Sequence, residues 1–146
     1  MIKLIPNTQW HITKGEHMQK KNNRDDIIRT FRRFARMGFN DHNYNPIQTY
    51  KRIEMFCTSQ RSKLDMLAVF DTLRLLRLSG ENEALLCVDR VYFSNSTQRL
   101  SRQEMARQIK KCSLELFCDE RTVYRRLEAA RGLYAQVRSS IGLIDD

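Results

Sequence analysis

Ser113-Leu-Glu-Leu-Phe-Cys-Asp-Glu-Arg-Thr-Val-Tyr-Arg-Arg-Leu127 is the stretch that decides the fold. Ser113 is a small residue at the end of one apolar-periodic segment, where a second helix can cross closely. Leu116 and Cys118 flank a turn and fill the gap between the helices. Asp119 has the side chain of a helix cap, able to accept an orphan first-turn amide. Val123 and Leu127, four residues apart, share one helix face and tie the second helix to a core. The pattern reads as a helix-turn-helix. It leaves Glu120, Arg121, Thr122, Tyr124 and Arg125 around the exposed first turn and a half. A helix that enters the DNA major groove needs its amino-terminal side chains free to reach base edges. Arginine can bind guanine O6 and N7 with two parallel hydrogen bonds, while Thr and Tyr suit phosphates or thymine methyl groups. The plainer alternative is a capped surface helix whose arginines face water.

Upstream of this stretch the apolar residues recur at helical spacing. Asp25–Met37 reads as an amphipathic helix with Ile27, Ile28, Phe31, Phe34 and Ala35 in one stripe, ended by Gly38. Asn40–Asn45 reads as a polar loop, and Asn45-Pro46 opens a second helix bearing Ile47, Tyr50, Ile53 and Cys57. A third is expected from Ser62-x-x-Asp65 to about Leu78, with Leu64, Leu67, Ala68, Leu75 and Leu76 spread so widely that it should be the central helix. Glu81–Phe93 reads as a fourth, acidic in its first turn. Ser101-x-x-Glu104 has the form of a capping box, in which hydroxyl and carboxylate each satisfy an amide, ahead of Met105, Ile109, Cys112 and Leu116. The last helix, capped by Asp119, reaches about Ser139. Before all of these, Met1–Ile5 reads as a short strand or docking arm, Trp10 and Ile12 as an apolar anchor, and Gly15–Asn23 as a polar, mobile stretch. The expected fold is all-α: a small helical bundle with a C-terminal helix-turn-helix. The chain divides into an N-terminal arm with basic helices (1–60) and the helix-turn-helix domain (61–146).

Composition narrows the function. Among 146 residues, 41% are hydrophobic and 29% charged, with a net charge of +9. No run approaches the roughly 18 apolar residues of a membrane span, and Met1–Trp10 is too short and polar for a secretion signal. Five Gly and two Pro disfavour a turn-rich sandwich or a glycine-loop nucleotide enzyme. Residues 1–60 hold eleven basic and five acidic side chains, so most of the positive surplus lies there. A basic chain of this size most often meets nucleic acid, although an anionic surface or acidic protein patch also fits. Cys57, Cys87, Cys112 and Cys118 lack the paired spacing of a zinc site and read as reduced, mostly buried thiols. No metal or cofactor is expected. His11, His17 and His42 form no HExxH pair, no phosphate-binding glycine motif occurs, and Asp25-Asp26 and Asp145-Asp146 are neighbours whose side chains diverge on a helix. The chain therefore does not read as an enzyme.

Asp119-Glu-Arg-Thr-Val-Tyr-Arg-Arg-Leu127 is similar to the Ser-Glu-Arg-Thr-Val-Tyr-Arg type of recognition helix in bacterial and phage regulators. The wider segment from Leu64 to about Ile144 resembles the promoter-recognising C-terminal domain of sigma factors and the phage late-gene regulators of the ArpU and RinA type. Tyr92-Phe93, Glu104-Met105-Ala106 and the tail Ala129-Ala130-Arg131…Leu133-Tyr134-Ala135 contribute to the likeness. Phe117 departs from it, standing where such motifs have a small turn residue, and Glu104-Met105-Ala106 lies earlier than usual. The resemblance implies a cytoplasmic, sequence-specific transcription regulator that binds double-stranded DNA through Arg121, Thr122, Tyr124 and Arg125. RNA polymerase and a second copy of the chain are the candidate protein partners, and no membrane is involved. A second basic surface is expected at Arg29, Arg32, Arg33 and Arg36, on the polar side of the first helix. It would contact DNA phosphates or an acidic partner, or else remain a solvated face. The alternative within DNA binding is a sigma-like RNA polymerase subunit that needs the core enzyme to bind well. A helical protein-interaction module without DNA binding is the alternative of a different class.

Overall fold

The computed structural model describes residues 14–40 and 45–145, and every regular element among them is helical. In chain order they are α1 (Lys14–Arg36), α2 (Pro46–Phe56), α3 (Gln60–Leu78), α4 (Asn82–Cys87), α5 (Arg102–Glu115) and α6 (Glu120–Asp145). Among the described residues, no helix is long and apolar enough to cross a membrane. Met1–Ile5, Trp10, His11 and Ile12, and most of the Asn40–Asn45 loop, lie outside the described residues.

Local chemistry sets the boundaries. Asn45 accepts a hydrogen bond from Gln48 N at 3.2 Å, with Pro46 in the first helical position. The expected start of α3 at Ser62 is displaced by one turn: Ser59 is the cap, its hydroxyl oxygen accepting from Ser62 N at 3.0 Å. Two serines three residues apart offer the same signal, and the earlier one adds a turn. α1 begins at Lys14 rather than Asp25 and takes in Gly15–Asn23, the stretch expected to be irregular. Glu16, Met18, Gln19, Lys20 and Lys21 are good helix formers, a preference that needs no apolar stripe. Gly38 and Gly80 close α1 and α3 at φ +79° and +78°, the left-handed conformation that glycine adopts without strain. The first closure brings Phe39 N to the Phe34 carbonyl at 3.2 Å and sets the two rings 5.6 Å apart, tilted by 60°.

The expected fourth helix changes character halfway. After Cys87 it continues as a wider π-helical segment, Val88–Phe93, along which Val88, Val91 and Tyr92 are all fully buried. Of the capping box on α5, only half forms. Ser101 accepts from Glu104 N at 3.1 Å, while the Glu104 carboxylate accepts from Arg107 and Gln108 instead.

One hydrophobic cluster joins both sides of the boundary expected at residue 60. Phe31 of α1 is fully buried, its ring 5.7 Å from Tyr92 and 5.6 Å from Tyr134. α1 thereby ties the π segment to α6. Met66, Val69 and Thr72 of α3 are likewise fully buried, in keeping with its central place, although Leu75 and Leu78 face outward. Cys57, Cys87 and Cys112 are buried free thiols. Burial, chiefly, pushes the Cys87 thiol up to about 12, so it packs as a neutral side chain.

Candidate nucleic-acid interface

α5 ends on Leu116, and the chain reverses direction through Phe117 and Cys118. Phe117 takes φ +54°, Phe117 N donates to the Leu114 carbonyl at 3.4 Å, and Cys118 N donates to the Ser113 carbonyl at 3.0 Å. This is the same closure that Gly38 and Gly80 make, here built on a bulky residue. Asp119 then caps α6: one carboxylate oxygen accepts from Thr122 N at 3.1 Å and from the Thr122 hydroxyl at 2.8 Å. Those two hydrogen bonds, hydroxyl first, hold the Asp119 carboxyl below its ordinary value, and the positive charges of Arg121 and Arg125 act in the same direction.

Beneath the turn, Ser113 is buried where α5 approaches α6, and its hydroxyl donates to the Lys110 carbonyl at 2.7 Å. Ile109 and Cys112 of α5 and Val123, Leu127 and Ala130 of α6 are all essentially inaccessible to solvent. Ser113, Val123 and Leu127 are therefore buried, as their spacing in the quoted stretch leads one to expect. Opposite this buried face, Arg121, Tyr124 and Arg125 are exposed. Neither arginine has a hydrogen-bond or ion-pair partner among the described residues. Thr122 is different. It is half-buried and its hydroxyl proton is committed to Asp119, so it works first as part of the cap.

The helix start is fixed from the side by a residue with no assigned role in the sequence. Arg126 donates to Glu83 at 2.8 Å and pairs with Glu81 at 3.4 Å, pinning the first turns of α6 to the amino end of α4. Arg131, one turn and a residue further on, donates to the Tyr92 hydroxyl at 2.7 Å. Among the arginines of α6, then, Arg121 and Arg125 are available while Arg126, Arg131 and Arg138 are engaged by the protein. Nothing in the local sequence separates Arg125 from Arg126 except the angle between them. The two tips of the turn are also apolar and open to water: Phe117 is 95% exposed and Leu114 68%.

The second expected surface divides. Arg32 is only 5% exposed, and its guanidinium donates to the carbonyls of Tyr92 (2.8 Å), Ser94 (3.2 Å), Asn95 (2.8 Å) and Gln98 (2.5 Å). It closes the carboxy end of the π segment and the loop after it, so it is not part of a solvated face. Burial, and then the neighbouring charge of Arg36, pull its pKa below the ordinary guanidinium value. Arg29 pairs with Asp26, Arg33 stands 3.9 Å from Asp65, and Arg36 is exposed. Helical periodicity places all four on one side. It cannot show that a loop some sixty residues later folds over one of them.

No family model matches the chain, and no curated protein or solved structure is similar to it.

Proposed function

We propose that the chain is a sequence-specific DNA-binding regulator of transcription that uses α5, the turn and α6 as a helix-turn-helix. The amino end of α6 enters the major groove, with Arg121 and Arg125 on base edges or phosphates and Tyr124 beside them. The observation that carries this reading is the sorting of the arginines on α6. Those at the amino end have no partner among the described residues, while those beyond it are bound to carboxylates or to Tyr92. The mixed charge at that end, with Asp119 and Glu120 beside the arginines, suits selective hydrogen bonding more than general attraction to a polyanion. The +9 charge of the chain supplies the non-specific attraction. Selection of fragments from a random duplex pool by the purified protein tests the reading. A shared motif that weakens when Arg121 or Arg125 becomes alanine supports it; an unselected pool refutes it.

The exposed Phe117 and Leu114 favour a second reading, a helical module that docks on a protein partner. Such a module elutes from heparin at the salt expected of its charge alone and enriches no DNA sequence.

A further inference from the structure

A second basic feature lies toward the other end of α6. α1, the amino end of α3 and the later part of α6 meet around an open groove of about 530 Å³. Its walls carry four guanidinium groups, Arg29, Arg33, Arg61 and Arg138, against two carboxylates, Asp26 and Asp65. We propose that this groove binds a small phosphorylated anion, of the size of a diphosphate or a nucleotide.

The charges do not cancel within the groove. Asp65, only 16% exposed, accepts from Arg138 Nε at 2.8 Å and lies 3.9 Å from Arg33. One half-buried carboxylate thus stands between two guanidinium groups, holds Arg138 and can neutralise one of the two. At 3.9 Å Arg33 feels the charge but makes no hydrogen bond, and Arg61 has no partner among the described residues. Each guanidinium offers five N–H groups in a rigid fork that matches phosphate oxygens in pairs. Among the described residues, side chains from three helices therefore bring together a surplus of donors and a net charge of two. The Ser59 and Ser62 hydroxyls, also on the wall, suit the same oxygens. Among the described residues, the carbon-rich part of the lining is Ile27, Ala135 and the Tyr134 ring, which disfavours an apolar ligand. The volume falls within the range of small-ligand sites, on the order of 300–1,000 Å³.

Phosphate chemistry could also come from the DNA backbone. Tyr134 and Arg138 lie about 20–25 Å along α6 from Arg121 at 1.5 Å per residue. That separation sets the groove apart from Arg121 and Arg125, which favours the small anion, and a duplex titration distinguishes it from a flanking phosphate. The proposal does not rest on the DNA-binding reading.

The test is calorimetric titration of the full chain with inorganic pyrophosphate at low chloride, beside Arg33→Ala/Arg61→Ala. Neither side chain makes a hydrogen bond among the described residues, and the Asp65–Arg138 pair is retained, so the variant should melt as wild type does without ligand. Arg61→Glu serves as a second variant should the double one be destabilised. Saturable one-to-one binding by wild type, weakened at least about tenfold in either variant, is the expected result. Absent saturation, or equal binding by wild type and variants, overturns the proposal. A duplex titration of the same proteins separates the sources. Matching salt slopes are expected, whereas a shallower slope in the variants with no pyrophosphate binding assigns the groove to DNA and also overturns it. If no protein binds duplex, the DNA reading fails and the pyrophosphate result stands alone.

Discussion

Phe117 holds a left-handed backbone that a bulky residue seldom adopts, and Arg32 holds a guanidinium buried against carbonyl groups. A β-carbon in the left-handed region costs roughly 1–2 kcal/mol, and glycine removes that cost while losing more entropy on folding. Because Phe117 is 95% exposed, little packing is lost with its ring. Phe117→Gly should therefore stabilise the protein by about 0.5–1 kcal/mol in urea unfolding. A gain in stability accompanied by lost binding would mark the ring as a functional contact held under strain. Arg32 behaves in the opposite way. Four carbonyls converge on one guanidinium, and truncation leaves several of them without a donor. Arg32→Ala should cost about 3 kcal/mol or more in the same assay. Arg32→Lys should not restore it, since one ammonium cannot serve acceptors spread from Tyr92 to Gln98. A loss under about 1 kcal/mol would show that water replaces the guanidinium adequately.

At the level of the helices, what the sequence reveals is what side chains do within three or four residues. Asn45, Ser101 and Asp119 each cap the helix that follows them, and Gly38 and Gly80 end the helices before them. Those signals are local and therefore legible. The amino end of α1 and the far end of α6 carry no local cap or stop signal at the expected limits and extend beyond them, α6 with Ile141 packed against the core. The apolar stripes identified Val123 and Leu127, and with them the exposure of Arg121 and Arg125. The pairing of Arg126 with α4 and the burial of Arg32 depend on segments distant in sequence, which periodicity cannot show. Two predictions follow from the caps. Ser101→Ala should cost about 1 kcal/mol, with no coupling to Glu104→Ala in a double-mutant cycle, because the Glu104 carboxylate serves Arg107 and Gln108. Coupling well above the usual error of such cycles would restore the reciprocal box. Asp119 is held below its ordinary value in the folded chain, so its contribution to stability is complete above the unfolded pKa. That contribution is lost as the pH falls through the folded pKa. The Thr122 amide resonance should report this transition below the usual carboxylate range and lose it in Asp119→Asn. An inflection at or above that range would remove the cap from the account.

Across the whole molecule, one core serves two ends of a single long helix. α6 spans 26 residues, about 39 Å at 1.5 Å per residue. Its amino end presents the unpaired Arg121 and Arg125, and its later turns carry Arg138 into the groove beside α1. α1 contributes Phe31 and Phe34 to the one core cluster that also holds Val123, Leu127 and Tyr134 of α6, so residues before position 60 share in the packing of that helix. A recognition surface made this way should distinguish sequences without depending on the groove. The most direct measurement is the affinity of wild type and Arg125→Ala for a duplex selected by wild type and for an unrelated duplex, at one fixed salt concentration. The account predicts that wild type prefers the selected duplex. It also predicts that Arg125→Ala loses about 1–3 kcal/mol on that duplex and much less on the unrelated one. Equal affinity of wild type for both duplexes, or an equal loss on both in the variant, would contradict it.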